Sequence, residues 1–108
     1  MGSPLIVKLT QANFAAEVQS GTPVLVDFWA EWCGPCKMLL PVIEQFSKDI
    51  GDKAIIAKVN VDECPDVAEM FDVQSIPTLM IFKNSEMKER TAGFKPAPVL
   101  KQLIEKHM

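Results

Sequence analysis

The chain has 108 residues, 48% of them hydrophobic, with three cysteines and a net charge of −3. That length fits one domain, residues 1–108, built on a single core. The acidic balance argues against a nucleic-acid or membrane-surface partner, either of which calls for a basic face.

From the N-terminus, Met1-Gly2-Ser3-Pro4 carries no apolar signal region. It also fails the myristoylation pattern, because Ile6 stands where Ser or Thr is required. Residues 1–3 read as a cloning scar, which leaves an organellar location open if a targeting peptide has been removed; otherwise the chain is expected in the cytoplasm. Leu5 to Leu9 is a short β-type run. Thr10 to Asn13 begins a helical stretch, with Phe14 and Val18 four apart, that ends at Ser20-Gly21. Val24 to Ala30 has the strongest strand signal, an apolar run suited to burial on both faces. Lys37 to Ile50 reads as a long helix closed by Gly51, with Pro41 expected to kink it.

Ala54 to Val61 is a second buried strand, and Pro65 suits the first position of a helix reaching about Phe71. Pro77 to Phe82 is a third, and Lys83 to Glu86 makes a hairpin turn into Met87–Ala92. After Gly93, Ala97 to Lys106 forms a last amphipathic helix with Val99, Leu100, Leu103 and Ile104 inward. No run approaches the roughly 20 apolar residues of a membrane span. The order βαβαβαββα predicts an α/β fold: a mixed sheet with helices on both faces.

Three thiols do not make the framework of a small secreted protein, which normally shows four, six or eight. Cys33 and Cys36 enclose Gly34-Pro35 where a buried strand gives way to a helix. Backbone amides and the macrodipole at a helix start stabilise a thiolate, the nucleophile of disulfide exchange. Cys36, three residues on, is on the same side of the first turn and within reach of a small disulfide ring. Gly34 admits a partner's backbone, and Pro35 starts the helix without wasting a donor. Tetrahedral zinc is the competing reading, but it needs about four ligands. Beyond this pair the chain offers only Cys64 and His107. An inert disulfide is the other alternative. A reversible dithiol couple fits the setting best.

The segment Phe28-Trp29-Ala30-Glu31-Trp32-Cys33-Gly34-Pro35-Cys36-Lys37, together with Pro41, Lys58-Val59-Asn60-Val61-Asp62, Ile76-Pro77-Thr78 and Gly93, resembles the thioredoxin family over nearly the whole chain. The resemblance implies the thioredoxin fold, a central five-stranded sheet flanked by four helices. It implies a protein-disulfide reductase in which Cys33 attacks and Cys36 resolves the mixed disulfide. No bound cofactor or metal is expected. By the same resemblance the redox-active disulfide Cys33–Cys36 would be recharged by a thioredoxin reductase drawing on NADPH, or by a ferredoxin-linked reductase in a plastid, and the partners would be that reductase and disulfide-containing clients of a monomer. Gly34-Pro35 puts no positive charge beside Cys33, whereas oxidising relatives carry histidine in that dipeptide, so reduction is favoured over oxidation or isomerisation.

Asp27 interrupts an apolar strand, where a buried carboxylate is costly; an edge position in water would explain it, but the resemblance makes it the proton acceptor for Cys36. Lys58 interrupts the next strand and is either a snorkelling surface lysine or the partner that tunes Asp27. The resemblance also makes Ile76-Pro77 a cis-proline loop facing the cysteines. Trp32, Gly34, Pro35, Ile76, Pro77, Ala92 and Gly93 would then form the apolar docking face. Cys64 stands where Asn, Asp or Ser would cap a helix better. It is either a harmless substitution or an exposed regulatory thiol, open to glutathionylation or an intermolecular disulfide. Ser85 takes a turn position where glycine is usual. A redox-independent binding or chaperone module on the same apolar surface is the alternative function.

Overall fold

The computed structural model describes residues 6–108; Leu5 and the suspected scar at residues 1–3 lie outside the described residues. The elements run β1 (Ile6–Lys8), α1 (Phe14–Glu17), β2 (Val24–Trp29), α2 (Gly34–Ile50), a 3-10 turn (Gly51–Lys53), β3 (Ile55–Asn60), α3 (Pro65–Met70), β4 (Thr78–Lys83), β5 (Glu86–Ala92) and α4 (Ala97–Glu105). The five strands form one mixed sheet in the order β1-β3-β2-β4-β5. β1, β3 and β2 are parallel, and β4 and β5 add antiparallel. This is the expected βαβαβαββα thioredoxin fold.

Side chains alternate across a strand, and β2 sorts its residues accordingly. Val24, Val26 and Phe28 point into one core with Phe14 of α1 and Val67 of α3. Leu25 points into the other, with Leu39, Ile43 and Phe46 of α2 and Leu100 and Ile104 of α4. Each fully buried Leu, Ile or Phe contributes about 1.5–3 kcal/mol by leaving water. In α4, Leu100 and Ile104 are buried while Val99 and Leu103 are only half-buried.

Two expectations about helix limits need correcting. α1 occupies only four residues, Phe14–Glu17, and residues 11–13 are turns. The Asn13 side chain accepts from the Thr10 amide at 2.7 Å and donates to the Lys8 carbonyl at 3.2 Å. These local bonds compete with helical ones and delay the helix. At the other site, α2 starts at Gly34 and not Lys37, so Gly34, Pro35 and Cys36 belong to its first turn. It continues through Pro41 to Ile50.

The β4–β5 hairpin closes on Asn84 and Ser85, both with positive φ, 53° and 69°. Two such residues make the turn that matches the twist of paired strands. Their amides also donate to the carbonyls of Ser20 and Val18, at 2.8 Å each, tying the hairpin to the end of α1.

Candidate active site

β2 delivers the cysteine motif at its C-terminal end, where the sheet stops and α2 begins. Cys33 is the N-cap of α2, and its sulfur accepts the Cys36 amide at 3.2 Å. The cap position is normally filled by a side-chain oxygen; here sulfur does that work at the positive end of a 17-residue helix. Cys33 and Cys36 are joined as a disulfide with their Cα atoms 5.3 Å apart. Cys33 is slightly the less buried of the two, 5% exposed against 2%.

Their neighbours come from three parts of the chain. Ala30 is buried with the cysteines, and Trp29, Val61 and Ile76 pack against them. The Ile76 carbonyl oxygen lies 3.7 Å from the Cys33 sulfur, and the Ile76-Pro77 bond is cis. The Gly93 amide donates to the Pro77 carbonyl at 2.8 Å, which fastens the end of β5 to this loop. Gly93 has φ +90°, a conformation that L side chains rarely adopt. Pro77 itself is buried, whereas Gly34, Pro35 and Ala92 are exposed and Ile76 and Gly93 half-buried. Nothing lies within 4 Å of the place a Cβ on Gly34 would occupy, so the space above the dipeptide is open.

Trp32 is 70% exposed, yet its indole N–H donates to Asp62 at 2.8 Å. Asp62 is in turn fixed by its amide, which donates to the Asn60 side chain at 2.9 Å. Val61 and Asp62 are site residues that the sequence reading did not pick out. A signal was available: β2 and β3 are parallel, so whatever follows β3 must lie beside whatever follows β2.

Asp27 is in β2, flanked by Lys58 of β3 and Leu79 of β4. It shares the face of Leu25, the face covered by α2, and is 1% exposed, which disposes of an edge position in water. Burial raises its pKa from 3.8 to about 7, and the nearby Lys58 charge lowers it only in part. Its Oδ1 has no hydrogen-bond partner among the described residues. The Lys58 ammonium sits over the Trp29 ring, 5.3 Å from the centroid, so it is a half-buried group held by an aromatic face and not a free surface lysine. A cavity of about 120 Å³ lined by Lys58, Trp29, Asn60, Glu31, Glu63 and Lys8 opens beside it.

Cys64 corrects an expectation. It is 3% exposed and packs in the α1/α3 core, with its thiol donating to the Leu9 carbonyl at 3.7 Å. The start of α3 faces inward toward the loop after β1, which removes this thiol from solvent. Among the described residues, no group of three or more His, Cys, Asp or Glu side chains is arranged to hold a metal ion, and no helix is long and apolar enough to cross a membrane.

The sequence bears comparison with known proteins. The thioredoxin family model matches residues 5–106. The thioredoxin of Staphylococcus saprophyticus is 52% identical over 103 residues, covering 95% of this chain and 98% of that protein. Those of Staphylococcus haemolyticus and Bacillus subtilis are 50% and 48% identical over the same coverage. With the strand order, the capped Cys33–Cys36 pair and the facing proline loop already in view, these matches show that the chain belongs to the thioredoxin family.

Proposed function

We propose that this chain reduces the disulfides of client proteins, with Cys33 as the attacking sulfur and Cys36 as the resolving one. The observation that carries the reading is the position of the Cys33 sulfur. It caps α2, takes the Cys36 amide, and faces the Ile76 carbonyl. Once the disulfide is reduced, the same amide and helix end favour the Cys33 thiolate over its thiol.

The reaction runs in two exchanges. The Cys33 thiolate attacks one sulfur of a client disulfide, forming a mixed disulfide and expelling the other client sulfur as thiolate. Cys36 then loses its proton and attacks Cys33, which re-forms the Cys33–Cys36 bond and releases the second client sulfur. Two electrons pass to the client. We assign the proton of Cys36 to Asp27, whose pKa of about 7 suits a base working near neutral pH. Lys58 tunes that carboxyl from the neighbouring strand.

The apolar rim of Trp32, Gly34, Pro35, Ile76, Ala92 and Gly93 is where we dock the client, in extended form, against the backbone of the proline loop, with the buried Pro77 supporting the rim from beneath. The electrons are carried by the two sulfurs, so no bound cofactor is required. Recharging falls to a thioredoxin reductase using NADPH, and the working location we propose is the cytoplasm, with the chain acting as a monomer. The test is insulin reduction driven by dithiothreitol. Wild type should accelerate it, and Cys33→Ser should abolish the acceleration; equal rates for the two would overturn the reading.

A further inference from the structure

Three of the large apolar side chains left exposed on this molecule come from segments that meet at the dithiol: Trp32, Met38 and Phe94. Trp32 directly precedes Cys33, and Phe94 follows the glycine that is bonded to the proline loop. The mechanism above uses only Trp32 of these, and Met38 is the one that lies on the same helix as the dithiol. It is 66% exposed on α2, four residues after Gly34 and three after Pro35. On a helix those spacings put its Cα about 6 Å further along the axis and between the other two in angle. Helical side chains lean toward the N-terminus and cover the turn before their own Cα. For Met38 that turn is Gly34-Pro35; no side chain comes within 4 Å of the place a Cβ on Gly34 would occupy, so Met38 stands beside the dipeptide and leaves it open to a client. The buried side of the same helix, Cys36, Leu39 and Ile43, faces the core.

We propose that Met38 is a peroxide-sensitive part of the client-docking face, and that its conversion to the sulfoxide weakens client binding without touching the dithiol. The inference rests on the reductase reading. In the step, the thioether sulfur attacks one oxygen of hydrogen peroxide. The O–O bond breaks, an S–O bond forms, the peroxide leaves as water, and sulfur is oxidised by two electrons. An apolar, adaptable side chain becomes a polar one. A client that covers Met38 then has to desolvate a sulfoxide where it had buried a methyl thioether. The disulfide form offers peroxide little else near the site, because Cys33 and Cys36 are bonded to each other and Cys64 is buried. Met70, 70% exposed on α3, is an internal control remote in sequence from the motif.

The experiment treats the disulfide form of wild type, Met38→Leu and Met70→Leu with hydrogen peroxide and maps the sulfoxides by peptide mass. It then measures insulin reduction at varied insulin concentration, comparing each protein with its own untreated sample. Treated wild type and treated Met70→Leu should show KM for insulin raised about fivefold with kcat nearly unchanged, as expected for partial loss of one buried methionine's worth of apolar contact. Treated Met38→Leu should match its untreated sample. The proposal is overturned if treated Met38→Leu loses as much as wild type, if KM is unmoved when Met38 is oxidised, or if Met38 resists peroxide while Met70 is converted. Untreated wild type that reduces insulin keeps the reductase reading in place through any of these failures; untreated wild type that does not would sink both.

Discussion

Replacing Asp27 with Asn keeps the shape of the side chain and removes its ionisation, and the consequence can be worked out with its sign. In the folded protein the carboxyl has a pKa of about 7, raised by burial, against an ordinary value of 3.8. Between those two values the native state holds a proton that the unfolded chain has lost. Stability therefore falls as pH rises through this window, by about 1.36 kcal/mol per pH unit. Over roughly 3 pH units the loss sums to about 4 kcal/mol, complete above pH 7 and absent below the unfolded value. Asp27→Asn escapes that loss. Its buried amide adds a pH-independent penalty of about 1–3 kcal/mol if it finds no partner, so the quantity to measure is the change with pH and not the value at one pH. Urea unfolding of the disulfide form of both proteins, from about pH 4 to about pH 8.5, should show the variant gaining about 4 kcal/mol on wild type across the range. A difference that stays constant with pH would refute the reasoning, because it would mean Asp27 ionises alike in the folded and unfolded chains.

The same substitution should slow insulin reduction at neutral pH and flatten its dependence on pH around 7, which pre-steady-state release of reduced client would reveal as a slower resolving step. Trp32→Ala should raise KM for insulin several-fold while shifting urea stability by no more than about 0.5 kcal/mol, since the indole is mostly in water; a large stability loss with unchanged KM would contradict its docking role. Ser85→Gly relieves a side chain at φ 69° and should raise stability by about 0.5–1 kcal/mol after the entropy of the added glycine is counted, read as an upward shift in Tm. Cys64 should resist a thiol reagent in the folded disulfide form and react only on unfolding; fast labelling would show that the core around Leu9 and Val67 opens readily.

What the sequence made legible was local or periodic. The strands betrayed themselves by apolar runs, and the Cys33–Cys36 spacing by its place between a strand and a helix. Asp27 stood out because a charge in such a run demands an explanation, though its solvent exposure depended on β3 and β4 closing over both sides of β2. The length of α1 was misread because Phe14 and Val18 share the helical spacing while the Asn13 side chain diverts the backbone just before them. The exposed alternative for Cys64 failed for a related reason. A residue before a helix-opening proline looks exposed in one dimension, but the contact that buries it is with Leu9, far away in the chain. Val61 and Asp62 were noted only within a family motif and not as site residues, since their contacts are made across strands, against Cys33 and Trp32.

The central claim is that Cys33 attacks and Cys36 resolves, and trapping tests it most directly. In a Cys36→Ser variant the first exchange can proceed but the second cannot, so reduced protein mixed with a disulfide-containing client should accumulate a covalent adduct, cleaved by dithiothreitol, whose peptide map joins Cys33 to a client cysteine. Absence of the adduct, or an adduct formed through Cys64 with Cys33 left free, would contradict the account.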